Sequence, residues 1–180
     1  YTLCYQTGKE ELEKIASGVQ GYYVTGDHKV VYVKNNNLYV CEPGEKEEKV
    51  DSDLKVSRLV PDGRMLDSDM SGVWVSQDGK NLLWAVNTGD EDSADFYCQD
   101  IELKGEKVKL ASDSTLVDRT ENFESILFKK DDALYLSKGM EKAEKLVSGV
   151  EDVMSVDLEK ETFFYSTFVE STASAMDYVE

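Results

Sequence analysis

Short apolar runs rich in aromatic residues recur along the chain and are separated by polar connections. Four of them are apolar at successive positions: VVYV (30–33), LLWAV (82–86), ILFK (126–129) and FFYS (163–166). A sheet with one face in water shows strict alternation of apolar and polar residues, which these runs lack. The pattern therefore predicts short β-strands that are covered on both faces.

Each run is followed by a polar turn and then by a second short run. The second runs are LYVC (38–41), DFYC (95–98), LYLS (134–137) and DYV (177–179), and LCY (3–5) resembles the tail of an earlier copy. A charged loop then leads to a Glu-Lys-apolar segment, at 13–15, 48–50, 106–108 and 144–146. Charged residues suit a strand at an exposed sheet edge. One repeat unit is thus an apolar strand, a turn, an aromatic strand, a charged loop and a Glu-Lys strand.

The longest internal repeat aligns LCYQTGKEELEKIASGV (3–19) with LYLSKGMEKAEKLVSGV (134–150) without a gap. Self-similarity of this kind indicates a repeat architecture. Taken alone, residues 9–16 are compatible with two helical turns. Because the twin segment lies in the same repeat context, both copies are interpreted as a loop followed by an outer strand.

Turn residues lie where such units require them. The asparagines at 35–37 and the KDDA segment at 130–133 tolerate left-handed backbone and close tight hairpins. An Asp-Gly turn within SQDGK (76–80) separates two apolar segments, which strongly indicates a hairpin.

Middle strands covered on both sides, together with a charged outer strand, describe a small sheet stacked between two neighbours. We therefore predict an all-β fold: a β-propeller or partial propeller of four-stranded antiparallel blades with about four repeat units. Residues 1–180 are expected to form a single domain excised from a longer chain. Residues 51–72, which are polar and contain their own Pro-Asp-Gly turn, are predicted to be an insertion within the second full repeat.

Two arrangements of the ends remain open at this point. The opening strands complete the last blade, or the chain is part of a larger propeller. The second is favoured because a closure with four blades is at the bottom of the usual range. A partial propeller leaves one broad blade face uncovered, and self-association would hide it.

The segment VSQDGKNLLW (75–84) resembles the turn of TolB-like propellers and of the propeller domains of prolyl-oligopeptidase relatives. The resemblance is clear for about ten residues and diffuse elsewhere, where GDHK (26–29) and LEKE (158–161) replace the Asp-Gly pattern. In those families the propeller is a binding or gating module, and any catalysis belongs to a separate domain. The resemblance assigns no role to an individual residue.

The chain carries 20 Lys and Arg against 37 Asp and Glu, a net charge of −17 at pH 7. Such a field repels phosphate backbones and anionic lipid headgroups, so nucleic acid and membrane surfaces are poor partners. No apolar run approaches the roughly 20 residues of a membrane-spanning helix, and no membrane insertion is expected within this segment. The charge favours solubility, basic partners and divalent cations.

Candidate catalytic chemistry is sparse. His28 is the only histidine and is predicted to lie in a surface turn, and no Gly-x-Ser-x-Gly elbow accompanies it. Gly-rich phosphate loops are absent, so no cofactor is predicted. The widely spaced Cys4, Cys41 and Cys98 indicate free, mostly buried thiols. The alternative is one disulfide with a leftover thiol, if the protein is secreted. These patterns predict no catalytic residues and a protein that is not an enzyme.

Two acidic loops are weighed as calcium sites and interpreted as solvated loops, so no metal site is predicted. In the first, at 67–78, oxygen ligands and the turn glycine occupy positions of a calcium-binding loop, but the final glutamate is missing and strands replace the flanking helices. Its residues in those positions are Asp67, Asp69, Ser71, Gly72 and Asp78. The second loop is NTGDEDSAD (87–95).

The aromatic residues Trp74, Trp84 and Tyr97 are candidates for a sugar-binding platform. Because all three lie within strand runs, core packing is favoured for them.

The sequence favours a non-catalytic propeller module that presents loops to a protein or saccharide partner. An envelope or secreted location in a bacterium is expected. One alternative is an accessory propeller that gates a hydrolase whose catalytic domain lies outside this chain. Another is a glycosidase-like propeller enzyme with acidic residues at its channel.

Overall fold

All of the regular structure is antiparallel β-sheet in the computed structural model, which describes residues 1–55 and 72–167. These residues form fifteen strands and no helix. The strands are β1 (Thr2–Tyr5), β2 (Glu13–Ser17), β3 (Val19–Val24), β4 (Val30–Lys34), β5 (Asn37–Cys41), β6 (Glu48–Asp51), β7 (Val73–Val75), β8 (Asn81–Asn87), β9 (Ala94–Asp100), β10 (Val108–Arg119), β11 (Ser125–Lys130), β12 (Ala133–Lys138), β13 (Glu144–Ser148), β14 (Val150–Asp157) and β15 (Thr162–Thr167).

Each described strand pairs only with strands that are adjacent to it in the chain, and no pairing joins β2 to β3, β6 to β7 or β13 to β14. The first sheet is β1–β2, the second sheet is β3–β6, and the last is β14–β15, here called the fifth sheet. Between them, β7 to β13 are hydrogen-bonded in one continuous order. Among the described strands, the second sheet is thus the only separate four-stranded antiparallel sheet, which is the form predicted for a blade.

The seven-stranded order is produced by the long strand β10, which serves two sheets in succession. Residues 108–114 of β10 pair with β9, and residues 115–119 pair with β11. Two register shifts interrupt the first half of the strand, where bulges bend the backbone. We call β7–β9 with the first half of β10 the third sheet, and its second half with β11–β13 the fourth sheet.

Within residues 1–55 and 72–167, the hydrophobic core consists of four layers between successive sheets. Tyr32 of the second sheet packs with residues of the first sheet, whereas its neighbour Val31 packs with Trp84 of the third sheet. Phe128 of the fourth sheet packs with residues of the third, and Leu127 packs with residues of the fifth. All five are fully buried (0% exposed). The first three runs that are apolar at successive positions are therefore covered on both faces, as predicted, whereas Phe164 of the fourth run is 60% exposed. The stack is propeller-like.

The internal repeat produces two hairpins with the same register. Leu3 pairs with Ala16 in β1–β2, and Leu134 pairs with Val147 in β12–β13, and in each case a bulge follows immediately. The SGV motif that ends each repeat contains a glycine in the left-handed region, with φ of 73° at Gly18 and 77° at its twin. That backbone conformation lets the chain turn from the outer strand of one sheet into the first strand of the next. Residues 9–16 are not helical, as expected for a loop and an outer strand.

The turns also agree with the sequence pattern. Asn35 and Asn36 have φ of 51° and 57° between β4 and β5, and Asp131 has φ of 51° between β11 and β12. The SQDGK segment joins β7 to β8, as predicted.

Two predicted segments fall largely outside the described residues. Of the proposed insertion at 51–72, residues 56–71 are not described, while Leu54 is 2% exposed and forms an isolated bridge with Val86 of the third sheet. The predicted strand at 177–179 also lies outside the described residues. Within residues 1–55 and 72–167, no helix is long and apolar enough to cross a membrane.

Candidate functional site

A cleft of about 710 Å³ opens between the first sheet and the second sheet. We call it the hairpin cleft. It forms because the first hairpin packs over one side of β3 and β4 and leaves the turn before β4 uncovered. Its lining comprises Leu3, Cys4, Tyr5, Gln6, Thr7, Gly8, Ile15, Tyr22, Val24, Asp27, His28, Val30, Glu42 and Pro43.

The cleft combines apolar surface with tyrosines and carboxylates. Tyr5 and Tyr22 are half-buried, and Val24 is 42% exposed although it lies in a strand. A hydrogen bond with Glu13 raises the pKa of the Tyr5 hydroxyl, which therefore stays neutral at physiological pH. A hydrogen bond from the Thr25 hydroxyl lowers the pKa of Asp27, so the cleft keeps its negative charge to low pH.

His28 lies at the rim of the hairpin cleft, exposed and in a turn as predicted, with φ of 71°. Its amide donates to the Thr25 carbonyl oxygen at 3.0 Å. His28 and Cys4 lie 24 positions apart in the sequence, and the structure brings both to one cleft. The cleft itself was not predicted, because it depends on how the first hairpin sits on the second sheet. A signal that could have indicated it is the tyrosine-rich GYYV segment (21–24), which follows the first hairpin in the sequence.

A second, acidic cleft of about 460 Å³ lies between the second and third sheets. Lys29 reaches into it with a side chain that is only 9% exposed. Its ammonium group pairs with Glu42 and, at 3.1 Å, with Glu102 of the third sheet. Three further glutamates line the same cleft: Glu45, Glu47 and Glu48. Lys29 is therefore a cation that joins two neighbouring sheets within acidic surroundings.

We expect Lys29→Met to lower the free energy of unfolding by about 1 kcal/mol at pH 7. The methionine keeps the buried aliphatic contacts and removes the ion pairs. The two carboxylates are 58% and 43% exposed, so solvent screening limits what each pair contributes. Urea denaturation of the variant and the wild type would measure the difference.

The pH dependence of that difference follows from the pKa shifts. Pairing with Glu42 and Glu102 raises the pKa of Lys29, so its stabilisation is lost only as the pH rises through that raised pKa. The hydrogen bond from Lys29 lowers the pKa of Glu102, so its stabilisation is lost as the pH falls through that lowered pKa. The gap between wild type and variant should therefore be constant near neutral pH and shrink in acid. Lys80→Met is the control, because Lys80 is 78% exposed and 3.6 Å from Asp78; an equal loss in both variants would contradict the bridging role.

Three hairpin turns with the same internal bonding lie along one edge of the stack. In each, a hydroxyl accepts a bond from a backbone amide across the turn: Lys29 to Thr25 at 3.0 Å, Asn81 to Ser76 at 2.9 Å, and Ser125 to Thr120 at 3.0 Å. The second and third turns are also linked, because the Gln77 amide donates to the Glu121 carbonyl oxygen at 3.0 Å and the Asp78 amide to Asn122 Oδ1 at 3.0 Å. The hairpin cleft lies at one end of this row, since it includes residues of the first turn.

The three cysteines are free thiols, as the sequence analysis favoured. Cys41 and Cys98 are buried and Cys4 is half-buried. Burial raises the pKa of the Cys98 thiol to about 12, and burial also raises that of Cys41. Both buried thiols therefore stay protonated at neutral pH and act as small core residues.

The two acidic loops are placed differently. Residues 67–71 of the first loop lie outside the described residues, and Asp78 belongs to the turn after β7. The second loop, 87–95, joins β8 to β9, and Lys55 Nζ donates to the carbonyl oxygens of Asp90 at 2.8 Å and Ser93 at 2.6 Å. Among the described residues no group of three or more His, Cys, Asp or Glu is arranged to hold a metal ion.

The sugar-platform candidates lie between sheets. Trp84 is fully buried and its indole N–H donates to Asp51 at 2.6 Å. Tyr97 stacks on it with ring centroids 6.0 Å apart, and Lys107 Nζ lies 4.3 Å from the Tyr97 ring centroid. Trp74 packs against Phe96 in the next core layer. These side chains join neighbouring strands and sheets and do not form an open platform.

Comparison with known proteins yields no family model that matches the chain and no match among curated proteins. Among solved structures, the chain is similar to virginiamycin B lyase from Staphylococcus aureus, with a TM-score of 0.38 and 13% sequence identity. The alignment covers 72% of this chain and 41% of the lyase, so the chain spans less than half the length of that protein.

The prediction that the chain is not an enzyme is corrected: it was drawn from missing motifs alone, and the similar solved structure is named as a lyase. The missing motifs excluded particular catalytic arrangements and did not exclude catalysis as such. At this TM-score the likeness carries no argument for a lyase activity or for a shared site.

Proposed function

We propose that the chain is a binding module that holds an extended, basic segment of a partner protein in the hairpin cleft. The observation that carries this proposal is the lining of the cleft, where tyrosines and apolar side chains, among them the exposed Val24, lie beside carboxylates. Aromatic faces and carboxylates together favour the ammonium and guanidinium groups of Lys and Arg. The net charge of −17 supports the same choice, since it attracts basic partners and steers their approach.

The fold supports a presenting role for this cleft. We propose that the stacked sheets are blades of a β-propeller and that the Ser-x-Asp-Gly-Lys turn at 76–80 reflects a relation to TolB-like propellers. In that arrangement the three hairpin turns at 25–29, 76–81 and 120–125 lie on one face of the propeller, and the hairpin cleft opens beside them. If the parent protein is instead a prolyl-oligopeptidase relative, the same face would gate a hydrolase domain outside this chain.

Fluorescence anisotropy with two labelled peptides tests the proposed specificity. One peptide alternates Lys with Val, and the other alternates Glu with Val. The Lys peptide should bind, and its affinity should fall with added salt because exposed charges are screened over about 10 Å at 0.1 M. The Glu peptide should not bind. Absence of binding by the Lys peptide at low salt would refute the proposal, and binding of neutral glycans in its place would favour a saccharide partner.

Separate substitutions of two adjacent tyrosines would test whether the peptide binds in the hairpin cleft. Tyr22→Ala should weaken binding of the Lys peptide by about tenfold, since it removes an aromatic face from the cleft. Tyr23→Ala is the matched control, because Tyr23 is the same residue type on the same strand and packs on the opposite side, with the third sheet. Circular dichroism would verify that both variants are folded. Equal weakening in both variants would place the binding site elsewhere.

A further inference from the structure

The inner sheets share one position that the following sheet always covers. It is the second residue of each apolar run, occupied by Val31, Leu83 and Leu127, and all three side chains are 0% exposed. Each belongs to a core layer shared with the next sheet along the chain. This position therefore marks the face that a sheet presents to its successor.

In the fifth sheet the same position is uncovered. Phe164 is the second residue of the fourth run, FFYS, and is 60% exposed. Its neighbours Phe163 and Tyr165 point the other way and pack with Leu127 of the fourth sheet. Met154 on the adjacent strand β14 is 67% exposed. The fifth sheet thus presents an apolar face of the kind that is buried at every earlier sheet.

The first sheet also has an exposed apolar residue, at a position where a preceding sheet would contact it. Leu12 is 67% exposed, and its twin in the internal repeat is Ala143. Ala143 packs with the third sheet, which precedes it, and its amide donates to the Leu110 carbonyl oxygen at 2.8 Å. The position of Leu12 is thus one that contacts a preceding sheet. The exposure of Leu12 and Phe164 shows that, within the described residues, the first and fifth sheets do not cover each other.

We infer that a second copy of this chain covers these faces, with the fifth sheet of one copy packed on the first sheet of the other. The contact would continue the order found at every internal layer. In each of those layers, the face that a sheet presents to its successor packs on the face that the next sheet presents to its predecessor. It is heterologous, because different patches meet, and two copies close the assembly when each supplies both patches. Burial of Phe164, Met154 and Leu12 against apolar surface provides the driving force.

Light scattering after size-exclusion chromatography of the full 180-residue chain tests the inference. The wild type should show twice the mass of one chain at high concentration and dissociate on dilution. Phe164→Asp alone and Leu12→Asp alone should each have the mass of one chain. Both copies in a pair would carry the same altered patch, so both contacts of the closed dimer would be disrupted. An equimolar mixture of the two variants should recover the doubled mass, because one intact contact forms between the unaltered faces.

Leu146→Asp is the control for added surface charge, since Leu146 is 44% exposed on β13, and it should associate like the wild type. A wild type with the mass of one chain at every concentration would overturn the inference and would indicate that another segment or partner covers these faces. A mixture that stays monomeric would overturn the head-to-tail geometry. A Leu12→Asp variant that pairs like the wild type would overturn it in favour of a contact between like faces.

Discussion

Phe128→Ala is expected to lower the free energy of unfolding by about 3–5 kcal/mol, the range for removing a fully buried phenylalanine. Phe128 is 0% exposed and lies in the layer between the third and fourth sheets. Its ring lies 5.0 Å from that of Phe96 between centroids, so the substitution removes an aromatic pair as well as buried area. Urea denaturation followed by tryptophan fluorescence would measure the change, since Trp74 packs beside the same layer.

Leu146→Ala provides the comparison for Phe128→Ala. Leu146 lies on β13, is 44% exposed and should lose less than about 0.5 kcal/mol on truncation. If the sheets were not packed face to face, the two substitutions would cost similar amounts. A loss below about 1 kcal/mol for Phe128→Ala would contradict the stacked arrangement.

Gly72→Ala is expected to destabilise the chain by about 3 kcal/mol, for two reasons that act together. Gly72 has φ of 67°, a conformation that costs an L-residue with a side chain about 1–2 kcal/mol. An added Cβ would also collide with the backbone carbonyl oxygen of Lys55, which cannot rotate away as a flexible side chain can. Gly72 and Lys55 are both fixed to the third sheet. The Ala85 amide donates to the Gly72 carbonyl oxygen at 2.8 Å, and the Lys55 amide donates to the Ala85 carbonyl oxygen at 2.9 Å.

Gly149→Ala separates the two contributions. Gly149 has a similar φ of 77°, but an added Cβ would meet no atom within 4 Å. Its variant should lose only the backbone term of about 1–2 kcal/mol. Thermal and urea denaturation of both variants would give the difference, and equal losses would show that the chain near Lys55 adjusts without cost.

The strands could be predicted from the sequence because their patterns are local. Runs such as VVYV and ILFK are apolar at successive positions, and the structure covers both of their faces. The SGV motif recurs because the same glycine-dependent turn leads into β3 and into β14. The Asp-Gly turn at 78–79 and the asparagines at 35–36 likewise specify hairpins through residues adjacent in sequence.

The remaining features depend on residues far apart in the chain. Nothing in the sequence near β10 indicates that one strand pairs with both β9 and β11, since this follows from bulges within the strand. Lys29 reads as a turn residue, yet its ammonium group joins Glu42 to Glu102 across two sheets. The hairpin cleft also combines residues from Leu3 to Pro43, which only the packing of two sheets brings together.

The prediction that the chain is not an enzyme also failed because catalysis depends on the arrangement of residues in space. It relied on recognising sequence motifs, whereas catalytic groups are defined by their arrangement in space. A sequence with one histidine and 37 acidic residues leaves many such arrangements untested.

The long strand β10 affects how the protein unfolds. Because one continuous backbone segment supplies ladder hydrogen bonds to both the third and fourth sheets, neither sheet can lose that strand without disturbing the other. These two sheets therefore form one cooperative unfolding unit at the centre of the chain. Among the described strands, the first and fifth sheets have two strands each and share none with their neighbours. Local opening therefore begins in these sheets, and their amide protons exchange with solvent earliest.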